Sequence, residues 1–180
     1  MKKLTFILGG ARSGKSSYAV SLAKSTGKKI IFIATCINSD EEMERRIKLH
    51  KESRPVTWNV IEEGINIDSA LRMIKTDCDV ILIDCLGLFI SNLMAVELSN
   101  EKVENKILLV IEQIKKMTAD AIIVSNEVGM GIVPDNPAAR RFRDLLGRTN
   151  QIFAQNADRV IMMHAGIPII IKGEKDEAAK

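Results

Sequence analysis

The chain has 180 residues, 46% of them hydrophobic and 27% charged, with a formal net charge of +3 at pH 7. That length suits one domain around a single sizeable core, so 1–180 reads as a single domain. The charge is too mild to argue for nucleic acid or a membrane surface, and no apolar run reaches the roughly 18 residues of a membrane span.

Three cysteines, Cys36, Cys78 and Cys85, form no C-x-x-C pair, which argues against a disulfide framework or a zinc site. Reduced thiols fit a cytoplasmic protein best. The apolar run near the start stops at Gly9 and is followed by Arg12 and Lys15. It is too short for the core of a signal peptide.

Residues 4–8 are β-prone and lead into Gly9, Gly10, Ala11, Arg12, Ser13, Gly14, Lys15 and Ser16, a complete G-x-x-x-x-G-K-S loop. A helical pattern over 15–26 follows, with Gly27 placed to cap it. Glycines let successive amides turn inward around an anion, and the helix N-terminus adds partial positive charge. Lys15 is then expected to reach the β- and γ-phosphates and the Ser16 hydroxyl to ligate Mg²⁺. The alternative is a glycine-rich turn that binds nothing.

Further strands are predicted at 30–34, 57–61, 80–84, 121–125, 159–163 and 167–171, alternating with helical patterns. This is the pattern of an α/β fold with a mostly parallel sheet and flanking helices. A helix opens with an S-x-x-E capping box at Ser39 and Glu42 and stops before Pro55. Others are predicted at 66–75, 100–117 and 138–157. The second of these has an apolar stripe of Val103, Ile107, Val110, Ile111 and Ile114. The third is buried through Phe142, Leu145, Leu146, Thr149 and Phe153, and Gly147 inside it suggests a close contact or a break. Residues 172–180 read as a frayed tail.

Four aliphatics end at Asp84. A carboxylate there suits a second Mg²⁺ contact at the carboxyl ends of the strands; the alternative is an N-cap for a helix starting near Leu86. His50 shares a helix face with Met43 and Ile47, so it reads either as a core-edge residue or as a nucleophile toward phosphorus. Arg46, Lys51 and Arg54 around it suit a triphosphate and favour neutral imidazole, while a helix C-terminus favours imidazolium. His164 has no comparable setting. Glu127, in the loop Asn126-Glu127-Val128-Gly129-Met130-Gly131-Ile132-Val133-Pro134, is either a base or metal-linked carboxylate, or a solvated turn residue.

These segments together resemble the bifunctional adenosylcobinamide kinase / adenosylcobinamide-phosphate guanylyltransferase family. The resemblance rests on the phosphate loop, I-A-T-C ending at Cys36, E-M-x-x-R-I-x-x-H-K-x-x-R-P ending at Pro55 and W-x-x-x-E ending at Glu62. It continues through D-C-L from Asp84, the loop from Asn126 to Pro134, and F-R-D-x-x-G-R-x-N-Q ending at Gln151. It implies a RecA-like phosphate-loop fold, a homotrimer, ATP or GTP as phosphoryl donor, and GTP as guanylyl donor. The corrinoid substrates are adenosylcobinamide and its phosphate. It also implies that His50 carries GMP, and that the phosphate loop, Ala34, Thr35, Cys36, Lys51, Glu52, Ser53, Arg54, Glu62 and Asp84 contact the nucleotide.

Different readings of the same residues are a simple small-molecule kinase, with His50 structural, and a regulatory nucleotide-binding module. A RecA-type motor is disfavoured by a chain with one Trp, one Tyr and five Phe and little charge.

Overall fold

A computed structural model describes residues 2–25, 29–37, 55, 57–75 and 77–173. In chain order these form β1 (Leu4–Gly9), α1 (Lys15–Ser25), β2 (Ile30–Ala34), β3 (Asn59–Glu62), α2 (Ile67–Met73), β4 (Val80–Asp84), α3 (Leu86–Ala95) and α4 (Asn100–Lys116). They continue with β5 (Asp120–Asn126), α5 (Pro137–Asn156), β6 (Arg159–His164) and β7 (Ile167–Lys172).

The strands make one seven-stranded sheet in the order β3-β2-β4-β5-β1-β6-β7. All neighbours are parallel except β6 and β7. The expected α/β fold with a mostly parallel sheet is therefore what forms. Central strands read as unbroken aliphatic runs because both of their faces are covered.

Alternate residues feed opposite layers. On one face Phe6, Ile33, Ile83 and Ile123 pack with Phe89, Leu93, Ile107, Leu146 and Phe153 of α3, α4 and α5. On the other, Ile7, Phe32, Leu82, Val124 and Ile161 pack with Ala19, Val20 and Ala23 of α1. Phe6 and Phe153 stack at 5.6 Å between centroids, joining β1 to α5.

Helix ends follow local chemistry. The Ser99 side chain accepts from the Lys102 amide to open α4, whose last turn carries Lys115 and Lys116 against the dipole. Asn136 accepts from the Ala138 and Ala139 amides, and Pro137 begins α5. Helix α2 is shorter than the predicted 66–75, with Asn66 at its N-cap.

Several expectations are corrected. The strand predicted at 57–61 begins at Asn59, where pairing with Ile31 of β2 starts. Gly147 neither breaks α5 nor makes a close contact, since a Cβ there would meet nothing within 4 Å. Lys172 is not part of a frayed tail: it belongs to β7 and its Nζ donates to the Ala154 and Gln155 carbonyls, each at 3.1 Å. Gly27 and the helix predicted from Ser39 lie outside the described residues. No helix among the described residues is long and apolar enough to cross a membrane.

Candidate functional site

Parallel register brings the carboxyl ends of six strands, β1 to β6, to one rim. Gly9 pairs with Asn126, and Ala34 pairs with both Glu62 and Asp84. Asp84 in turn pairs with Val124 of β5. Strand β5 thus stands between the phosphate-loop strand and the strand ending in Asp84. From β1 to β3 there are four inter-strand steps of about 4.8 Å each, so Glu62 lies ~19 Å along the rim from Gly9.

The phosphate loop is held in its curve by identifiable contacts. The Ser13 amide donates to the Gly10 carbonyl at 3.3 Å. Arg12 and Gly14 take φ of 54° and 88°, the left-handed turn that aims successive amides inward. At Gly9 a Cβ would lie 2.4 Å from Ser13 Oγ and 2.7 Å from the Met163 carbonyl oxygen, so only glycine fits there.

Support also comes from the far end of the chain. The β6–β7 hairpin turns through Ala165 and Gly166, both at positive φ, the geometry that matches strand twist in a two-residue turn. The Gly166 amide donates to the Ser13 carbonyl at 3.0 Å.

Lys15 is buried, and its Nζ donates to the Gly10 carbonyl at 3.0 Å, folding the ammonium over the loop. Ser16 Oγ, on the first turn of α1, donates to Asp84 Oδ1 at 3.4 Å. A hydroxyl and a carboxylate converging in this way are hard oxygen donors of the kind Mg²⁺ prefers. Among the described residues no three His, Cys, Asp or Glu side chains gather as a metal site. The donor set fits Mg²⁺. The alternative reading of Asp84 as an N-cap is not borne out, because α3 is preceded by Cys85 at that position.

Thr35 is fully buried. Its Oγ1 accepts from the Cys85 amide and donates to the Cys85 carbonyl, each at 2.8 Å. The Thr35 amide donates to the Asp84 carbonyl at 3.3 Å, so the end of β2 grips the end of β4. Asn92 of α3 adds a brace, donating from Nδ2 to the Thr35 carbonyl at 2.8 Å and to the Gly64 carbonyl at 3.0 Å. Burial, followed by the Asp84 carboxylate, pushes the Cys85 thiol up to about 12. It is a thiol at neutral pH, facing Asn126 Oδ1 at 3.5 Å.

The rim of β5 is fixed from beneath. Asn150 of α5 donates from Nδ2 to the Asn126 carbonyl at 3.0 Å, and its Oδ1 accepts from Ser125 Oγ at 2.6 Å. The Glu127 amide donates to the Gly9 carbonyl at 3.0 Å, and the Glu127 carboxylate accepts from the Gly129 amide. Glu127 thus shapes the turn after β5 beside the phosphate loop.

The fold therefore gathers the phosphate loop, Ala34, Thr35, Cys36, Glu62 and Asp84 along one rim. His50, Lys51, Glu52, Ser53 and Arg54 lie outside the described residues. His164 is exposed at the end of β6, one residue beyond Met163, which pairs with Gly9 of the phosphate loop. Sequence reasoning gave no role to Asn92, nor to Asn126 and Asn150, although the latter two stand in the quoted motifs. Asn150 had a signal: it lies one turn beyond Leu146 on the buried stripe of α5, and a polar side chain on an apolar face needs a partner.

Relatives carry the same arrangement of sequence. The profile of the family described as cobinamide kinase / cobinamide phosphate guanyltransferase matches residues 5–171. The bifunctional adenosylcobalamin biosynthesis protein CobP of Pseudomonas aeruginosa is 37% identical over 168 residues, covering 93% of this chain and 96% of its own. The bifunctional adenosylcobalamin biosynthesis proteins CobU of Salmonella typhimurium and Escherichia coli are 35% and 32% identical, each covering 94% of this chain and 99% of its own. With its phosphate loop, its Asp84 strand and nearly its whole length matched, the chain belongs to the cobinamide kinase / cobinamide phosphate guanyltransferase family.

Proposed function

We propose that the chain catalyses two successive reactions in assembly of the cobalamin nucleotide loop. In the first, the γ-phosphoryl group of ATP or GTP passes to the aminopropanol hydroxyl of adenosylcobinamide. In the second, His50 attacks the α-phosphorus of GTP and pyrophosphate leaves. The resulting P–N bond is then broken by adenosylcobinamide phosphate, giving adenosylcobinamide-GDP and free imidazole. Splitting a nucleotidyl transfer into two displacements is the usual advantage of covalent catalysis.

The observation that carries this reading is the phosphate loop facing Asp84 across Ser16, in a chain matched from residue 5 to 171 by this family. Lys15 would neutralise the β- and γ-phosphates. Ser16 and Asp84 would hold Mg²⁺, which supplies further charge neutralisation for the leaving group. Glu62, across the rim, is the member of the set suited to the nucleoside end. The three free thiols support a cytoplasmic location, and the family resemblance supports a homotrimer, which sedimentation analysis tests.

Incubation with GTP labelled at the α-phosphate tests the transferase half. The expected result is an acid-labile, alkali-stable label, located on His50 by mass spectrometry. Transferase turnover without any adduct on that ring would overturn the covalent route. Failure to phosphorylate adenosylcobinamide with ATP or GTP would overturn the kinase half.

A further inference from the structure

The loop after β5 presents apolar side chains to water at the rim where the phosphate loop sits. Met130, Ile132 and Val133 are 82%, 97% and 63% exposed. Three neighbouring large apolar residues exposed in this way mark a binding surface. The backbone on either side of them is held in place. Arg143 donates to the Gly129 carbonyl at 2.9 Å, and Arg140 donates to the Pro134 and Asp135 carbonyls at 2.9 and 2.6 Å. On the near side, the Glu127 amide is bonded to Gly9 of the phosphate loop. Anchored flanks and exposed apolar side chains describe a platform whose ends are set in advance, which lowers the ordering cost of binding.

Position limits what can lie on it. The loop issues from β5, between the phosphate-loop strand and the Asp84 strand, beside the Ser16–Asp84 pair to which the functional reading assigns the terminal phosphate. A phosphoryl acceptor has to reach that phosphate with its hydroxyl, so the rest of its body must cross the neighbouring rim. A corrinoid is a broad macrocycle with apolar faces and a fringe of amides, matching an apolar patch edged by backbone polar groups.

We propose that Met130, Ile132 and Val133 form the platform on which the corrin ring of the acceptor rests. This rests on the functional reading above and adds the surface that receives the second substrate.

The test uses the full chain and its double variant Met130→Ser/Ile132→Ser, with Ile132→Leu as the conservative control. Cobinamide retention is read by its visible absorbance in equilibrium dialysis, alongside KM values and sedimentation. Loss of two apolar contacts predicts at least about 10-fold weaker cobinamide binding. KM for cobinamide should rise to match, with KM for GTP unmoved and Ile132→Leu near the unaltered chain. Unchanged cobinamide affinity in the double variant overturns the proposal. So does weakened binding that comes with altered sedimentation, which would assign the patch to contact between copies of the chain. If the unaltered chain retains no cobinamide, the functional reading itself has failed.

Discussion

The Thr35 hydroxyl is bonded at both its donor and its acceptor positions to the backbone of one residue, Cys85, at 2.8 Å each way. The Cys85 carbonyl also accepts from the Phe89 amide at 3.2 Å. Replacing Thr35 by Val keeps the shape but removes both bonds of a fully buried side chain. A loss of about 2 kcal/mol in unfolding free energy is expected, read from urea denaturation. Thr35→Ser should recover most of it, and equal losses in both variants would assign the effect to packing alone.

His50 and Lys15 should separate the two reactions. His50→Ala is expected to abolish guanylylation while phosphoryl transfer to adenosylcobinamide persists. Lys15→Ala should lower both by roughly 100-fold or more, as removal of one charge-stabilising donor commonly does. Steady-state assays of each half-reaction decide it. Survival of one activity at full level in Lys15→Ala would require a second nucleotide site.

Gly9→Ala tests the loop itself. Its Cβ would press on Ser13 Oγ and on the Met163 carbonyl, and the carbonyl belongs to a strand that cannot readily move. The variant should lose about 1–3 kcal/mol of stability and bind nucleotide at least 10-fold more weakly. Gly10→Ala, where a Cβ would meet nothing within 4 Å, should be mild by comparison in the same titration. Similar behaviour of the two would mean that the loop rearranges.

Asp84→Asn removes the charge facing Ser16. Both activities should then require a higher Mg²⁺ concentration, and chelation should silence the unaltered chain. A magnesium titration in which Asp84→Asn follows the unaltered curve would remove Asp84 from the ion's ligands.

Much of this was legible before the structure because it is local. The bounds of β2 and β4 match their aliphatic runs residue for residue, and the phosphate loop is a spacing of glycines, lysine and serine on one short segment. What escaped depends on register between distant segments. Thr35 and Cys85 are 50 positions apart and meet only because β2 pairs with β4. Asn150 reaches Ser125 and Asn126 from another helix. The start of β3 was misplaced because Thr57 and Trp58 are β-prone, while the strand lasts only as long as its pairing with β2. Glu127 stood open between base and turn residue; its contact with the Gly129 amide accounts for the turn.

The Gly166 amide that meets Ser13 has a consequence for timing. A cradle encoded in the first sixteen residues stays unbraced until the final hairpin has been synthesised and docked, so nucleotide affinity should mature late in folding. Ligand and hairpin are thereby linked: whatever fills the cradle steadies the turn that braces it. Hydrogen exchange at Gly166 should slow when nucleotide is added, although that amide never touches the phosphates.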